Sequence, residues 1–201
     1  MHASLSPNKA RTGRWGFCRT LRVKHFSRPP TCRVTPAVRR HTKVTMDNVI
    51  SLHFESKLHA PIPRVWKWIT SVEGIAAEMW PFFRMTMPKG IRSLSDVQIK
   101  PGVRMFRSYI FLFGVLPVDY SDMTLVELDS GQGFVEQSPM GSMKLWRHER
   151  RIVPCLSDPS AVLLVDQLTF RPRMAQRLVG WFIRHVFTHR HKVLKTNLGS
   201  A

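Results

Sequence analysis

The spacing of apolar residues changes several times along the chain, and each change predicts a different element. Apolar and polar residues alternate over 49–59, which predicts a strand. Prolines then set a helix start, and apolar residues recur at helical spacing over 63–70. A second short helix fits 72–79, because Trp80-Pro81 disfavours helical backbone at its end. The pattern therefore predicts a strand followed by two short helices.

Alternation with a period of two returns after these helices and predicts a run of antiparallel strands. The predicted strands cover 82–87, 103–111, 119–128, 133–137, 144–153 and 161–170. Segments that contain Gly or Pro separate most of them, as turns require. From 173 to 197 the apolar spacing is helical again. The broad face of this long helix is predicted to carry Met174, Leu178, Trp181, Phe182, His185, Val186, His189 and Val193.

This order of elements predicts an α+β fold, in which one long amphipathic helix packs against a single antiparallel sheet. If the sheet curls around the helix, the inward side chains cannot fill all of the enclosed space. The expected result is an apolar cavity between the sheet and the C-terminal helix.

Charge separates the first 45 residues from the rest of the chain. The 201 residues carry a net charge of +18, from 31 Lys and Arg against 13 Asp and Glu. Eleven of the basic residues and none of the acidic ones lie in 1–45, a segment without sustained apolar periodicity. We predict a basic disordered extension over 1–45 and a folded domain over 46–201.

Three interpretations of the basic extension stay open. The first is that the domain starts at Met46 and that a start codon upstream of it added a segment that is not native to the domain. An Arg-rich composition without acids is also typical of an organellar transit peptide. The third interpretation is a nucleic-acid-binding arm, in which Trp15, Phe17 and Phe26 stack on bases.

Several classes of protein are excluded by what the sequence lacks. Its longest apolar runs, such as 161–165, are too short for a transmembrane helix. The three cysteines are too few for a disulfide framework and form no zinc-ligand spacing. Motifs for dinucleotides, the P-loop, the serine-hydrolase elbow and zinc proteases are absent. His185 and His189 share a helical face but have no evident third ligand, so we expect neither a metal nor a cofactor.

Four parts of the sequence, taken in order, resemble one superfamily. They are APIPRVWKWIT after the first strand, FGVLPVDY between middle strands, GFVEQSPMGSMKLWRHERRI leading into VLLVDQLTFRP, and HVFTHRHKVL in the last helix. They resemble the helix-grip fold of the SRPBCC superfamily, which includes START lipid-transfer domains, Bet v 1-like proteins and aromatase/cyclases, over about 48–198. The chain is similar in particular to a bacterial ligand-binding subgroup in which a Trp-x-His strand precedes a strand with a central Asp. Arg150 stands where that subgroup usually has a second histidine. The resemblance implies a curved antiparallel sheet around a long C-terminal helix, with a ligand cavity, rather than a particular reaction.

The last two predicted strands place polar residues on an otherwise apolar face. Antiparallel pairing centred on Ser157 sets His148 opposite Asp166. Trp146 and Arg150 lie two residues to either side of His148 on the same face. Because an inward carboxylate is costly unless it is paired, we predict a His148–Asp166 pair. Two interpretations stay open: a structural pair that fixes strand register, or a pair that lines the cavity and holds a polar group of a ligand, with proton transfer as a special case.

Further inward-facing residues complete the predicted site. The candidate ligand-binding residues are Trp146, His148, Asp166, Arg150, Phe106, Phe111, Phe134, Trp80, Phe182 and His185. Ordinary core packing is the alternative explanation for the aromatic residues among them. No catalytic residue is assigned.

Three functions are compatible with these features. The first is non-catalytic binding of a small hydrophobic ligand, such as a lipid, a quinone or a polyketide-like molecule. The second is an aromatase/cyclase-type enzyme acting on a polyketide-like substrate, and the third is nucleic-acid binding through 1–45. We predict the first, with no specific nucleic-acid partner, in the cytoplasm or, if 1–45 are a transit peptide, in an organelle. The basic clusters at 171–177 and 184–192 are predicted to be solvated, with transient contact to an anionic membrane surface as the alternative, and the oligomeric state stays open.

Overall fold

The computed structural model describes residues 48–97 and 100–199, which form a seven-stranded antiparallel sheet and three α-helices. The strands are β1 (Ile50–Leu58), β2 (Phe83–Met85), β3 (Arg104–Leu112), β4 (Leu116–Asp129), β5 (Gly133–Glu136), β6 (Met143–Pro154) and β7 (Val162–Pro172). The helices are α1 (Ile62–Thr70), α2 (Val72–Met79) and α3 (Gln176–Leu198), with a 3-10 turn at Leu94–Asp96. The predicted α+β class and element order are confirmed. The extension predicted over 1–45 lies outside the described residues.

The strand order places the first strand beside the last one. The strands follow each other across the sheet as β1-β7-β6-β5-β4-β3-β2, and all neighbours are antiparallel. The sheet curls into a half-barrel, and α3 packs against β1, β7 and α2. This is the helix-grip arrangement, in which a curved sheet partly encloses one long helix.

Local sequence explains where the two short helices begin and end. Pro61 precedes α1 with an extended backbone that leads into the helix. Ser71 ends α1 and also caps α2, because its hydroxyl accepts a 3.0 Å hydrogen bond from the Gly74 N–H. Trp80-Pro81 ends α2 at the predicted residue. The last turn of α2 therefore lies beside α3, and its Glu78 side chain pairs with Arg190 in the core.

The pairing of β6 with β7 differs from the prediction by two residues. β6 continues to Pro154, which pairs with Val162, so the connection is centred on Asp158 rather than on Ser157. The Asp158 carboxylate accepts a 3.1 Å hydrogen bond from the Ser160 N–H inside the turn. This local turn closes one residue later than the sequence spacing indicates. Because a shift of two residues is even, each side chain keeps the face predicted for it.

The corrected register changes which residue lies opposite the buried carboxylate of β7. Arg150, two residues beyond the predicted partner His148, is directly opposite Asp166. His148 is opposite Leu168 instead. It still reaches the carboxylate along the diagonal, with 3.1 Å between Nε2 of His148 and Oδ1 of Asp166. The predicted pair therefore exists, and Arg150 joins it.

The buried face of α3 is rotated relative to the predicted one. Met174, Leu178 and Trp181 are each more than half exposed, so the predicted face is wrong at these positions. The buried residues of α3 are Ile183, Val186, Phe187, Arg190, His191, Leu194 and Leu198. The prediction also places Arg190 on a solvated face, whereas it is buried, because Glu78 supplies a carboxylate partner inside the core. For the remaining basic residues, contact with an anionic membrane stays the alternative to a solvated surface.

Candidate ligand-binding site

A cavity of about 310 Å³ lies between the concave face of the sheet and α3. Its wall is mostly apolar and includes five methionines, whose flexible side chains adapt to an irregular ligand. They are Met79, Met85, Met123, Met140 and Met143. The volume lies at the lower end of the roughly 300–1,000 Å³ typical of small-molecule sites. The space is therefore large enough to hold a small apolar molecule.

Four of the ten predicted ligand-binding residues line this cavity. They are Phe134, Trp146, His148 and Phe182. Phe134 and Phe187 make edge contacts with the imidazole of His148, with ring centroids 5.5 and 5.3 Å apart. These contacts hold the imidazole in place at the wall.

The other six predicted residues do not line the cavity. Arg150 and Asp166 are fully buried behind the wall, where Asp166 contacts the lining residue His148 and Arg150 contacts Asp166. Phe106 is buried and Phe111 half-buried in β3, and neither lines the cavity.

Trp80 and His185 are exposed, which corrects their prediction as inward residues. Trp80 lies just beyond the end of α2, and its carbonyl oxygen contacts Nε2 of His189 at 2.7 Å. The ring of His185 instead packs on Trp181, with centroids 4.2 Å apart. The contact of His185 with Trp181 is local to α3, whereas the contact of Trp80 with His189 joins the end of α2 to α3.

A layer of charged and polar side chains crosses the core next to the cavity. We call it the charged layer; it consists of Glu78, Arg150, Asp166, Arg190 and His191, all buried. It separates two apolar clusters of the core, which is clearest along β7. There Asp166 lies between Leu164, which belongs to one cluster, and Leu168, which belongs to the other. Such a layer is stable only if its charges are paired.

Arg150 is the centre of the charged layer, since its guanidinium donates to two carboxylates. Nε and Nη2 each lie 2.7 Å from an oxygen of Asp166, and Nη1 lies 2.9 Å from Oε2 of Glu78. Burial favours loss of the proton, but the charges of Asp166 and Glu78 outweigh it and raise the pKa of Arg150. Arg150 therefore stays charged and joins β6, β7 and α2.

Glu78 connects Arg150 to a second guanidinium, that of Arg190. Oε2 of Glu78 accepts hydrogen bonds from Nε and Nη2 of Arg190, at 3.0 and 2.9 Å. Oε1 accepts from the indole N–H of Trp68 at 3.1 Å. Burial and the neighbouring charge of Arg150 both lower the pKa of Arg190. Glu78 thus compensates two cations that would otherwise repel each other.

Asp166 accepts hydrogen bonds from three side chains. Besides Arg150 and His148, Nε2 of His191 lies 3.0 Å from Oδ2. Burial favours the neutral carboxyl, but the charges of Arg150 and His148 outweigh it and hold the pKa of Asp166 well below its ordinary value. An ionised carboxylate only accepts, so Nε2 of His191 carries a proton, while Nδ1 accepts from the Ser56 hydroxyl at 2.7 Å. The neutral imidazole satisfies both contacts, and burial lowers the pKa of His191.

Glu136 brings a carboxylate to the cavity wall itself. Its side chain is 12% exposed, and Oε1 accepts a 2.7 Å hydrogen bond from the Ser138 hydroxyl. Oε2 lies 3.8 Å from Nδ1 of His148. Burial favours the neutral form, but the interaction with His148 outweighs it and lowers the pKa of Glu136. At neutral pH the cavity therefore contains an ionised carboxylate.

Two more polar side chains of β4 line the cavity, and only one of them has hydrogen-bond partners among the described residues. The carboxylate of Asp119 accepts hydrogen bonds from the N–H and the hydroxyl of Ser142. The hydroxyl of Ser121, in contrast, is buried and has no hydrogen-bond partner among the described residues. A buried polar group without a partner is rare in folded proteins, and it calls for an explanation.

The sequence interpretation does not identify Glu78, Glu136 or Ser121 as site residues. A signal exists for Glu136, because it follows the inward Phe134 by two residues and so shares its face. The sequence signal for Glu78 is weaker. A negative charge in the last turn of a helix interacts unfavourably with the helix dipole, so Glu78 needs a cationic partner elsewhere in the fold. Serine is common on strands, and nothing in the sequence distinguishes Ser121.

Metal-binding and membrane-spanning features were expected to be absent. No group of three or more His, Cys, Asp or Glu side chains within 48–97 and 100–199 is arranged to hold a metal ion. None of the helices in this described part is both long and apolar enough to cross a membrane.

The chain has the helix-grip fold, as the sequence resemblance to the SRPBCC superfamily implies. Three solved structures are similar to it. Protein CV1439 from Chromobacterium violaceum is 13% identical, covers 75% of this chain and 99% of its own, and has a TM-score of 0.53. A START superfamily protein from Mycobacterium smegmatis is 10% identical, with coverages of 74% and 97% and a TM-score of 0.53. The Zhui aromatase/cyclase from Streptomyces sp. R1128 is 12% identical, with coverages of 74% and 93% and a TM-score of 0.52.

The chain belongs to the family described as Domain of unknown function (DUF8410), whose model matches residues 56–198. No curated protein matches the chain. The likeness to solved structures at these identities establishes the fold, and the function is argued from the cavity.

Proposed function

We propose that the protein is a non-catalytic carrier or receptor for a small hydrophobic ligand, such as a lipid, a quinone or a polyketide-like molecule. The observation that carries this proposal is the mostly apolar cavity of about 310 Å³ between the sheet and α3. Burial of apolar ligand surface in such a space contributes about 25 cal/mol per Å². The similarity in fold to a START superfamily protein and to an aromatase/cyclase supports it.

The charged layer supports a binding role because it makes the polar part of the wall rigid. His148 and Arg190 face the cavity, and each is held from behind by a buried carboxylate. Those carboxylates, Asp166 and Glu78, are in turn fixed by Arg150. A preorganised wall avoids the entropy cost of ordering side chains when the ligand enters.

A cavity-filling substitution tests this proposal. Val179 is half-buried on α3 and lines the cavity, whereas Leu178 beside it is 64% exposed. We expect Val179→Trp to abolish binding of N-phenyl-1-naphthylamine, a neutral probe that fluoresces in apolar surroundings, because the indole occupies the space. Overpacking of this kind costs about 1–3 kcal/mol of stability, so circular dichroism is used to check that the variant folds.

The matched control is Leu178→Trp, which adds the same side chain on the outer side and leaves probe binding unchanged. Absence of probe binding by the full chain before any substitution would contradict the proposal. Native mass spectrometry of the purified chain offers an independent measurement, since an apolar molecule enclosed by the protein adds its mass.

A second candidate function is catalysis of the aromatase/cyclase type, which the position of His148 at the cavity wall favours. In that case the imidazole moves a proton on a polyketide-like substrate held by the apolar wall. We expect His148→Ala to abolish turnover if the protein is such an enzyme, measured by product formation from supplied polyketide-like substrates. Turnover that is unchanged in this variant rejects the catalytic role.

A further inference from the structure

We infer that the ligand of the cavity is a neutral amphiphile whose polar end donates a hydrogen bond, as an alcohol or a phenol does, to the carboxylate of Glu136. This inference rests on the proposed function and names the chemical class of the ligand. It follows from the pairing of charges at the cavity wall and from one buried hydroxyl group.

The first step concerns the guanidinium groups, which already have their counterions. Arg150 is bound by Asp166 and Glu78, and Arg190 is bound by Glu78 through both Nε and Nη2. The two cations are therefore matched by two carboxylates inside the charged layer. His191 adds no charge, because burial lowers its pKa and its two contacts suit the neutral ring.

The second step concerns Glu136, whose ionic partner is an imidazole instead of a guanidinium. Among the described residues no Lys or Arg forms an ion pair with it. His148 is its ion-pair partner, and the 3.8 Å between Nδ1 and Oε2 is too long for a hydrogen bond. A carboxylate offers about four acceptor positions, so the Ser138 hydroxyl and the contacts with His148 and Trp146 still leave capacity for a further donor.

The third step excludes an anionic head group. The carboxylates of Glu136 and Asp119 both line the cavity, whereas the one guanidinium at the described wall, that of Arg190, is already engaged by Glu78. A carboxylate or phosphate on the ligand would meet like charges in a space of low polarity, where repulsion is strong. A neutral donor gains a charge-assisted hydrogen bond at the same position.

The fourth step is the hydroxyl of Ser121, which gives independent evidence for a polar ligand atom. It is 2% exposed, lines the cavity, and has no partner among the residues that the structure describes. An unmade hydrogen bond at a buried position is unfavourable, and a ligand oxygen that meets this hydroxyl removes the penalty. A purely hydrocarbon ligand would leave the Ser121 hydroxyl without a partner and the remaining acceptor positions of Glu136 unused.

Three probes that share one apolar body test the inference on the full chain at pH 7. They are 2-naphthol, which donates a hydrogen bond, 2-methoxynaphthalene, which does not, and 2-naphthoate, which is an anion. We expect 2-naphthol to bind at least about 10-fold more tightly than the other two, the factor typical of a hydrogen bond to a charged group. Binding is measured by quenching of naphthalene fluorescence or by calorimetry.

The variant Glu136→Gln locates the effect. It removes the charge and keeps the shape, so the preference for 2-naphthol over 2-naphthoate is expected to shrink by about the same 10-fold factor. Glu55→Gln is the matched control, because Glu55 is exposed on β1 and does not line the cavity. The affinities of the three probes are measured on the unmodified chain. They therefore test the proposed class of ligand even if Glu136→Gln does not fold.

Each outcome has a distinct meaning. Equal affinities, or tightest binding of 2-naphthoate, overturn the inference on ligand class and leave the proposed function in place. A preference for 2-naphthol that survives in Glu136→Gln overturns the assignment to Glu136. If none of the three probes binds and N-phenyl-1-naphthylamine also fails to bind, the proposed function is rejected together with the inference.

Discussion

Glutamine in place of Glu78 is expected to lower the free energy of unfolding by about 3–5 kcal/mol, the cost of removing one partner from a buried ion pair. Glu78 is fully buried and accepts hydrogen bonds from both Arg150 and Arg190. The neutral amide leaves these two guanidinium groups close together in the core, with Asp166 as the remaining carboxylate of the charged layer. Urea unfolding followed by tryptophan fluorescence measures the change.

A matched control and a double variant make this result specific to the charge. Glu73→Gln changes an exposed residue of the same helix, so its effect should stay within about 0.5 kcal/mol. Arg190→Met, added to Glu78→Gln, removes the excess cation and should recover part of the lost stability. If the two substitutions are additive instead, the repulsion between the guanidinium groups is not the cause of the loss.

Much of the fold could be predicted because its signals are local. The bounds of α2 agree with the prediction, since Ser71 caps its start and Trp80-Pro81 ends it. Alternating residues likewise indicate the strands and their inward faces. The β6–β7 register required more than periodicity, because the exact turn geometry around Asp158 decides it. A period of two determines which face of the sheet a residue lies on. Registers that differ by two residues fit the same pattern, so the pattern does not identify the cross-strand partner.

The candidate site was harder to predict, because its residues are joined over long sequence distances. Arg190 and Glu78 are 112 positions apart, and Arg190 looks like a surface residue until that partner is known. The cavity is equally non-local, since it is the space that remains after sheet and helix have packed. Ser121 is notable only because its buried hydroxyl has no hydrogen-bond partner among the described residues, which the sequence does not show.

The geometry also connects the two interpretations of the predicted His148–Asp166 pair. Asp166 is fully buried away from the cavity and holds β6, β7 and α3 together through Arg150 and His191. His148 faces the cavity and is oriented by that same carboxylate. A structural role for Asp166 and a ligand-facing role for His148 are therefore compatible, since a rigid support is what a binding wall requires.

Acidification is expected to destabilise the protein in two steps, because the described groups with lowered pKa values in this region bind protons more readily when unfolded. The pKa of His191 is lowered from 6.5 by burial, so its contribution is fully present above about pH 6.5 and is lost as the pH falls below that value. Asp166 and Glu136 have pKa values below those of ordinary carboxyls. Their contributions are fully present above about pH 4.5 and are lost as the pH falls through the folded-state pKa values.

The measurement is the free energy of unfolding in urea between pH 8 and pH 3, at constant ionic strength. Each group adds a slope of up to about 1.4 kcal/mol per pH unit within its own window. Asp166→Asn should be strongly destabilised at pH 7. The difference in free energy of unfolding between this variant and the unmodified chain should narrow below about pH 4, because the Asp166 carboxyl of the unmodified chain then contributes less stability. His191→Gln should flatten the curve just below about pH 6.5 and leave the part of the curve that reports the carboxyl groups unchanged. Parallel curves for the unmodified chain and Asp166→Asn over the whole range would mean that the Asp166 carboxylate is not held ionised by Arg150, contrary to the pairing on which the charged layer depends.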